Sequence, residues 1–195
     1  MAQSILEQFI SNDIKNVLAF ICSIAITWYS IPIIVSISRS KHLLDEPNGR
    51  TSHQKATPTL GGIALFASLI ILSMLFININ IIPNFQYAIA GSVVIFFIGL
   101  KDDLVNISWR TKVTGEIIAA LFLIVLGDYR FTNLHGLFGI HEINYLSSLL
   151  LTLFVIVGIV NSINLIDGID GLAAGLAAMA TTCLVFGFTW MDSLR

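Results

Sequence analysis

Charge is what this sequence has least of. Asp, Glu, Lys and Arg make up 11% of its 195 residues, against 56% hydrophobic, whereas soluble domains carry roughly a quarter charged residues. Apolar runs long enough to cross a bilayer recur along the chain, so a soluble globular core is excluded. Basic tracts are also missing, which removes nucleic acid as a partner. Cysteine is down to two, Cys22 and Cys183, both inside apolar runs. They read as small hydrophobes and leave no disulfide framework or thiolate metal site. The opening stretch, MAQSILEQFISNDIK, lacks the basic n-region and small-residue cleavage site of a signal peptide, so the first hydrophobic run is expected to persist as a helix. A net charge of -2 says little, because placement matters more than the sum.

What is there in abundance is apolar sequence. Spans at 16–38, 61–82, 85–100, 113–127, 146–163 and 172–190 predict an all-α, polytopic integral membrane helix bundle of six transmembrane helices, one membrane-embedded domain over 1–195. The third and fourth runs fall short of the ~20 residues a helix needs to cross hydrocarbon and must borrow from their flanks. Only Pro83–Asn84 separates the second span from the third, which predicts a tight turn. Lys and Arg fix an orientation. The segments 39–60, 101–112 and 161–171 hold Arg39, Lys41, Arg50, Lys55, Lys101, Arg110 and Lys112, while the opposite side holds only Lys15, Arg130 and Arg195. The first set is expected to be cytoplasmic, with the N-terminus outside.

Three polar clusters fall on that same expected side: DEPNGRTSHQKATPTLGG (45–62), KDDLVN (101–106) and NSINLIDGIDGLAAG (161–175). The pair Asp102–Asp103 alone suits two readings equally, a solvated pair held by Lys101 and Arg110 or a hard-cation site. Mg2+ takes one or two carboxylates and keeps positions open for substrate phosphates, and a dication relieves the repulsion between adjacent carboxylates. In the third cluster, Asp167 and Asp170 share a helical face by their spacing, and Asn161 and Asn164 extend it. Gly168, Gly171 and Gly175 permit close backbone approach or a broken helix. Ordinary helix packing would not need so many amides and carboxylates beside an apolar span. In the first cluster, Arg50, His53 and Lys55 lie between Pro47 and Pro58, ahead of Gly61–Gly62. Singly each is ordinary positive-inside charge, but together they fit capture of a phosphorylated substrate.

Other polar residues take blander readings. Glu116, just inside the fourth span, is either interfacial or a supporting partner of Lys112. His135 and His141 have no ligand-like spacing around them, and Asn78 and Asn80 look interfacial.

The combination resembles the polyprenyl-phosphate N-acetylhexosamine-1-phosphate transferase family, also called glycosyltransferase family 4. The residues that carry the likeness are Asp45, Pro47, Arg50, His53, Pro58, Gly61 and Gly62, then Asp102–Asp103, then Asn161, Asn164, Asp167, Gly168, Asp170 and Gly171. The run NLIDGIDGLA is closer to the N-acetylglucosamine-type branch than to the pentapeptide-transferase branch, which favours Thr where Ile166 stands. Some members carry a third carboxylate where this chain has Asn106. Members also have later helices, a Gly-Asp-x-Gly-Ser loop and a His-rich loop, so the chain is expected to be an amino-terminal part of such a protein.

The resemblance implies transfer of an N-acetylhexosamine-1-phosphate from a UDP-sugar to undecaprenyl phosphate, releasing UMP, as a first step of cell-envelope polysaccharide synthesis such as lipopolysaccharide. It implies Mg2+, or Mn2+ in its place, with Asp102 and Asp167 as the metal and diphosphate contacts and Asp170 supporting them. Asp103 is the residue expected to deprotonate or orient the lipid phosphate, a covalent aspartate route being the alternative. Asp45, Arg50, His53, Lys55, Asn161 and Asn164 are the expected substrate-binding set. The location implied is the bacterial inner membrane, multi-pass, with the active site on the cytoplasmic face, as a monomer or a homodimer. Other readings stand beside this one. They are a catalytically inactive membrane fragment of such an enzyme, a small polytopic transporter, and a CDP-alcohol phosphotransferase. Clustering of charge at one face instead of the midplane argues against the transporter. DGIDGLAAG lacks the Ala-Arg and further aspartates the last would need.

Overall fold

A computed structural model describes residues 2–45, 57–77, 82–105, 107–166 and 171–193. Within them the chain runs as helix α1 (Ala2–Ser40), a two-residue strand pair β1 (Leu44–Asp45) and β2 (Thr57–Pro58), then α2 (Gly62–Phe76), α3 (Phe85–Val105) and α4 (Trp109–Leu121). A π turn, Phe122–Leu126, extends α4, and after a 3-10 turn at Leu137–Gly139 come α5 (Tyr145–Ile166) and α6 (Leu172–Ser193). The strand pair is antiparallel, Leu44 opposite Pro58 and Asp45 opposite Thr57. It is a staple and not a sheet layer, and the architecture is an all-α membrane helix bundle.

The interior is lined by small and polar residues and the exterior by large apolar ones. Ala64, Ala119, Ala120, Ser38, Ser68, Ser148 and Thr152 are buried, whereas Trp28, Tyr29 and Phe154 are each at least 75% exposed. A soluble bundle sorts its residues the other way. Where lipid is the solvent, large apolar side chains gain nothing from turning inward, and small residues let helices approach closely. Helices Ile14–Ser40 and Tyr145–Ile166 are long and apolar enough to cross a membrane, and Gly62–Phe76 and Leu172–Gly187 are shorter apolar helices.

Helices pack in chain order, α1 on α2, α3 on α4, α4 on α5 and α5 on α6. The α3–α4 contact depends on Gly91, where a Cβ would stand 2.9 Å from the Ala119 carbonyl oxygen. Phe66 of α2 stacks on Phe96 of α3 with centroids 4.1 Å apart, and Ser68 Oγ donates to the Ser23 carbonyl of α1 at 3.5 Å.

All six expected helices form, in order, but several end elsewhere. Helix α2 stops at Phe76, with Ile77 extended (φ -84°, ψ 123°), where a span to residue 82 was expected. Asn78 and Asn80 lie outside the described residues. Helix α3 continues to Val105, so Asp102 and Asp103 ride on its last turns and not in a loop. Helix α4 starts early, at Trp109, because the Ser108 side chain accepts from the Thr111 N–H and caps it.

The turn at Pro83–Asn84 is tight as expected, with Asn84 at φ 63°. It is clasped to the far end of α4: Asn84 Nδ2 donates to the Gly127 carbonyl (3.3 Å) and the Tyr129 hydroxyl to the Pro83 carbonyl (2.6 Å). Nearby, Arg130 pairs with Asp128 (2.7 Å), donates to Ser148 Oγ (3.3 Å) and lies over the Tyr145 ring. Buried Ser148 donates to the Phe131 carbonyl at 2.5 Å, and Thr152 accepts from the Phe131 N–H at 3.0 Å.

Candidate active site

At the other end of the same helices, Asp102 closes the α3–α4 turn. One carboxylate oxygen accepts from the Ile107 N–H at 3.1 Å and the other from Lys112 Nζ at 2.8 Å. Lys112 stands one turn into α4 and donates a second bond, 2.8 Å, to Asn164 Oδ1 on α5. Three helices are thereby joined through one ammonium. Charge-assisted bonds of this kind are the strong class, and the Lys112 and Asp102 side chains are 17% and 26% exposed, which limits solvent screening.

A turn deeper on α4, Glu116 is 2% exposed. Its Oε2 accepts from Asn161 Nδ2, which also donates to the Val157 carbonyl at 2.9 Å. Its Oε1 is buried without a hydrogen-bond partner. Asp102, Asp103, Lys112, Glu116 and Asn164 surround a cavity of about 280 Å³ whose other walls include Ile95, Ile98 and Ile163. A buried oxygen without a partner in so apolar a setting is costly, which marks Glu116 as more than filling.

Asp103 also borders a second cavity, of about 170 Å³, shared with Thr59, Leu60 and Phe96. Thr59 follows β2, so the strand pair holds the downstream end of the 45–62 segment against the end of α3. The backbone of Asp45 forms the other half of that ladder.

The sequence-derived site residues divide accordingly. Asp102, Asp103 and Asn164 border one cavity, and Asn161 adjoins it through Glu116. Arg50, His53, Lys55, Asn106, Asp167 and Asp170 lie outside the described residues. Thr59 and Leu60 after β2, and Val160, Ile163 and Asn164 near the end of α5, reach this end of the bundle. Gly171 sits at φ 76°, a left-handed position that suits glycine, at the foot of α6.

Two residues gain importance from the geometry. Lys112, expected from sequence as positive-inside charge or as a partner of Glu116, is the cation on Asp102. Lys101 is exposed instead, and Arg110 lies over the Trp109 ring, 5.4 Å from its centroid. Glu116 is neither interfacial nor bonded to Lys112, and Asn161 is its partner. Their spacing was the available signal, since Lys112 and Glu116 fall on one face of an otherwise apolar helix.

Among the described residues, no three His, Cys, Asp or Glu side chains group closely enough to hold a metal by themselves. Mg2+ does not require that, because it is bound by one or two carboxylates and retains waters and substrate oxygens. The donors here are all hard oxygens. Asp102 keeps lone pairs beyond its two bonds, and Asp103 adjoins it in the chain. The residues present fit such a cation.

The family model described as glycosyl transferase family 4 matches residues 85–193, more than half of the chain. The chain is similar to the undecaprenyl-phosphate alpha-N-acetylglucosaminyl 1-phosphate transferase of Thermotoga maritima, 30% identical over 97 residues, covering 50% of this chain and 30% of the relative. The protein of the same name from Escherichia coli K12 is 30% identical over 106 residues, 54% of this chain and 28% of the relative. A probable undecaprenyl-phosphate N-acetylglucosaminyl 1-phosphate transferase of Bacillus subtilis is 31% identical over 114 residues, 58% of this chain and 32% of the relative. The matched stretch thus spans about a third or less of these curated relatives. The family match takes in the Asp102–Asp103 pair and the 161–175 motif, with the basic 45–62 segment lying before it.

Proposed function

Given that the chain belongs to glycosyl transferase family 4, we propose that it serves transfer of an N-acetylhexosamine-1-phosphate from a UDP-sugar to undecaprenyl phosphate. A phosphate oxygen of the lipid forms a new bond to the sugar-linked phosphorus while the bond to UMP breaks, so the products are the lipid diphosphate-sugar and UMP. The observation that carries this reading is the meeting of Asp102, Asp103, Lys112, Glu116 and Asn164 around one cavity where α3, α4 and α5 come together.

Both substrates are anionic, so phosphoryl transfer between them is chiefly a matter of positioning and charge stabilisation. Asp102 and Asp167, supported by Asp170, would hold Mg2+, which when bound neutralises the donor diphosphate. Asp103, next to Asp102 and bordering both cavities, takes or directs the proton of the lipid phosphate. Before the cation arrives, Lys112 holds Asp102 and Asn164 in register. Arg50, His53 and Lys55 add positive charge for phosphate capture, and Asn161 and Asn164 contribute the amide face toward the sugar-nucleotide.

On this reading the site lies at a bilayer surface, with the lipid tail in hydrocarbon and the nucleotide arriving from water. We take that surface to be the cytoplasmic face of a bacterial inner membrane, with the N-terminus outside, on the distribution of Lys and Arg. The pathway class is the opening step of envelope polysaccharide synthesis.

The test is UMP release by the purified protein in lipid nanodiscs given UDP-N-acetylglucosamine, undecaprenyl phosphate and Mg2+. Asp103→Asn should abolish release while helical content and melting stay unchanged. Near-normal turnover by that variant would overturn the role of Asp103, and absence of release by the wild type would overturn the activity.

A further inference from the structure

The Glu116 carboxylate is the feature this reading leaves unused. It is buried, one oxygen has no partner, and it shares a cavity with a lysine that is already bonded to Asp102 and Asn164. Lys112 and Glu116 are four apart on α4, which brings their Cβ atoms to about 5–6 Å. Helical side chains lean toward the helix start, so Glu116 leans toward Lys112. We propose that Glu116 is the second berth of the Lys112 ammonium: when Asp102 takes a divalent cation, Lys112 turns from Asp102 to Glu116 Oε1.

Charge balance is the physical ground. With Lys112 on Asp102, the Glu116 carboxylate holds a single bond, from the neutral amide of Asn161, and, among the described residues, no cation. A dication on Asp102 balances the carboxylate charge there and repels a lysine left beside it. Moving Lys112 to Glu116 creates a neutral pair and gives the orphaned oxygen its donor. Without Glu116 the displaced ammonium would have to stay against the dication or give up its partner in a partly buried site, and either is costly. Glu116 is on this view a positioning residue that acts through Lys112. It also braces Asn161 through Oε2, so the same carboxylate ties the lysine's location to the amide face of α5.

The inference rests on the cation-site reading above, and the experiment separates the two. Mn2+ binding to the purified protein in nanodiscs, without nucleotide or lipid phosphate, is followed by electron paramagnetic resonance. Glu116→Gln should weaken Mn2+ binding about tenfold, the scale of a lost charge partner of roughly one pKa-unit equivalent. Glu116→Asp, which keeps the charge, should restore most of it. Lys112→Met should tighten binding, and in that background Glu116→Gln should change affinity by less than about twofold. Equal weakening with and without Lys112 would make Glu116 a direct ligand or a through-space charge and overturn the berth. An unmoved Glu116→Gln single variant would overturn it as well. Failure of the wild type to bind Mn2+ would overturn the cation site and this inference together.

Discussion

The two ends of the α3–α4–α5 unit are built from similar polar groups and put them to opposite uses. At the Pro83–Asn84 end, Asn84, Tyr129, Arg130, Ser148 and Thr152 satisfy one another and the backbone. At the Asp102 end, the groups surround a cavity, and one buried oxygen stays open. Each end ties the same three helices. The first uses neutral hydroxyl and amide bonds plus an exposed ion pair, which fix geometry. The second concentrates carboxylates around an ammonium, which fixes geometry only while its charges balance. A bundle can therefore be fully satisfied at one end and keep an unmatched group at the other.

Substitutions at the two ends should separate accordingly. Asp102→Asn preserves an acceptor for the Ile107 N–H but removes the charge that Lys112 answers. Turnover in the UMP assay should fall about 100-fold or more, with melting shifted by only a few degrees. Comparable losses of turnover and of folded protein would erase the distinction between the ends. Ser148→Ala, at the quiet end, removes the donor to Phe131 and the acceptor for Arg130. It should lower unfolding stability by about 1–3 kcal/mol, read by denaturant titration, with turnover per folded molecule unchanged. Tyr129→Phe removes one bond to Pro83 at a part-exposed site. A loss of about 0.5 kcal/mol and no kinetic effect is expected, and a change in kcat there would show that the ends communicate.

The order and number of helices were legible because each is a sustained apolar run, and the convergence of motifs was legible because charge is so rare that its positions stand out. Boundaries were not. The run through residue 82 is apolar enough to continue a helix, yet α2 ends at Phe76. Asp102 and Asp103 looked like loop residues because they are charged, but α3 carries them on its final turns. The role of Lys112 on Asp102 was not legible, because a lysine near a membrane surface fits ordinary positive-inside charge. Its bonds to Asp102, 10 residues away, and to Asn164, 52 away, belong to tertiary structure, which no local pattern encodes. The Glu116–Asn161 bond, across 45 residues, is of the same kind.

The short pairing of Leu44–Asp45 with Thr57–Pro58 has a thermodynamic consequence for the segment it brackets. Bringing the ends of a chain segment together carries an entropic cost that grows only slowly with length. Here that cost is met once, on folding, by the paired flanks Leu44–Asp45 and Thr57–Pro58. A ligand that needs those two flanks side by side has no closure cost left to meet, and preorganisation of this sort raises affinity without adding a contact.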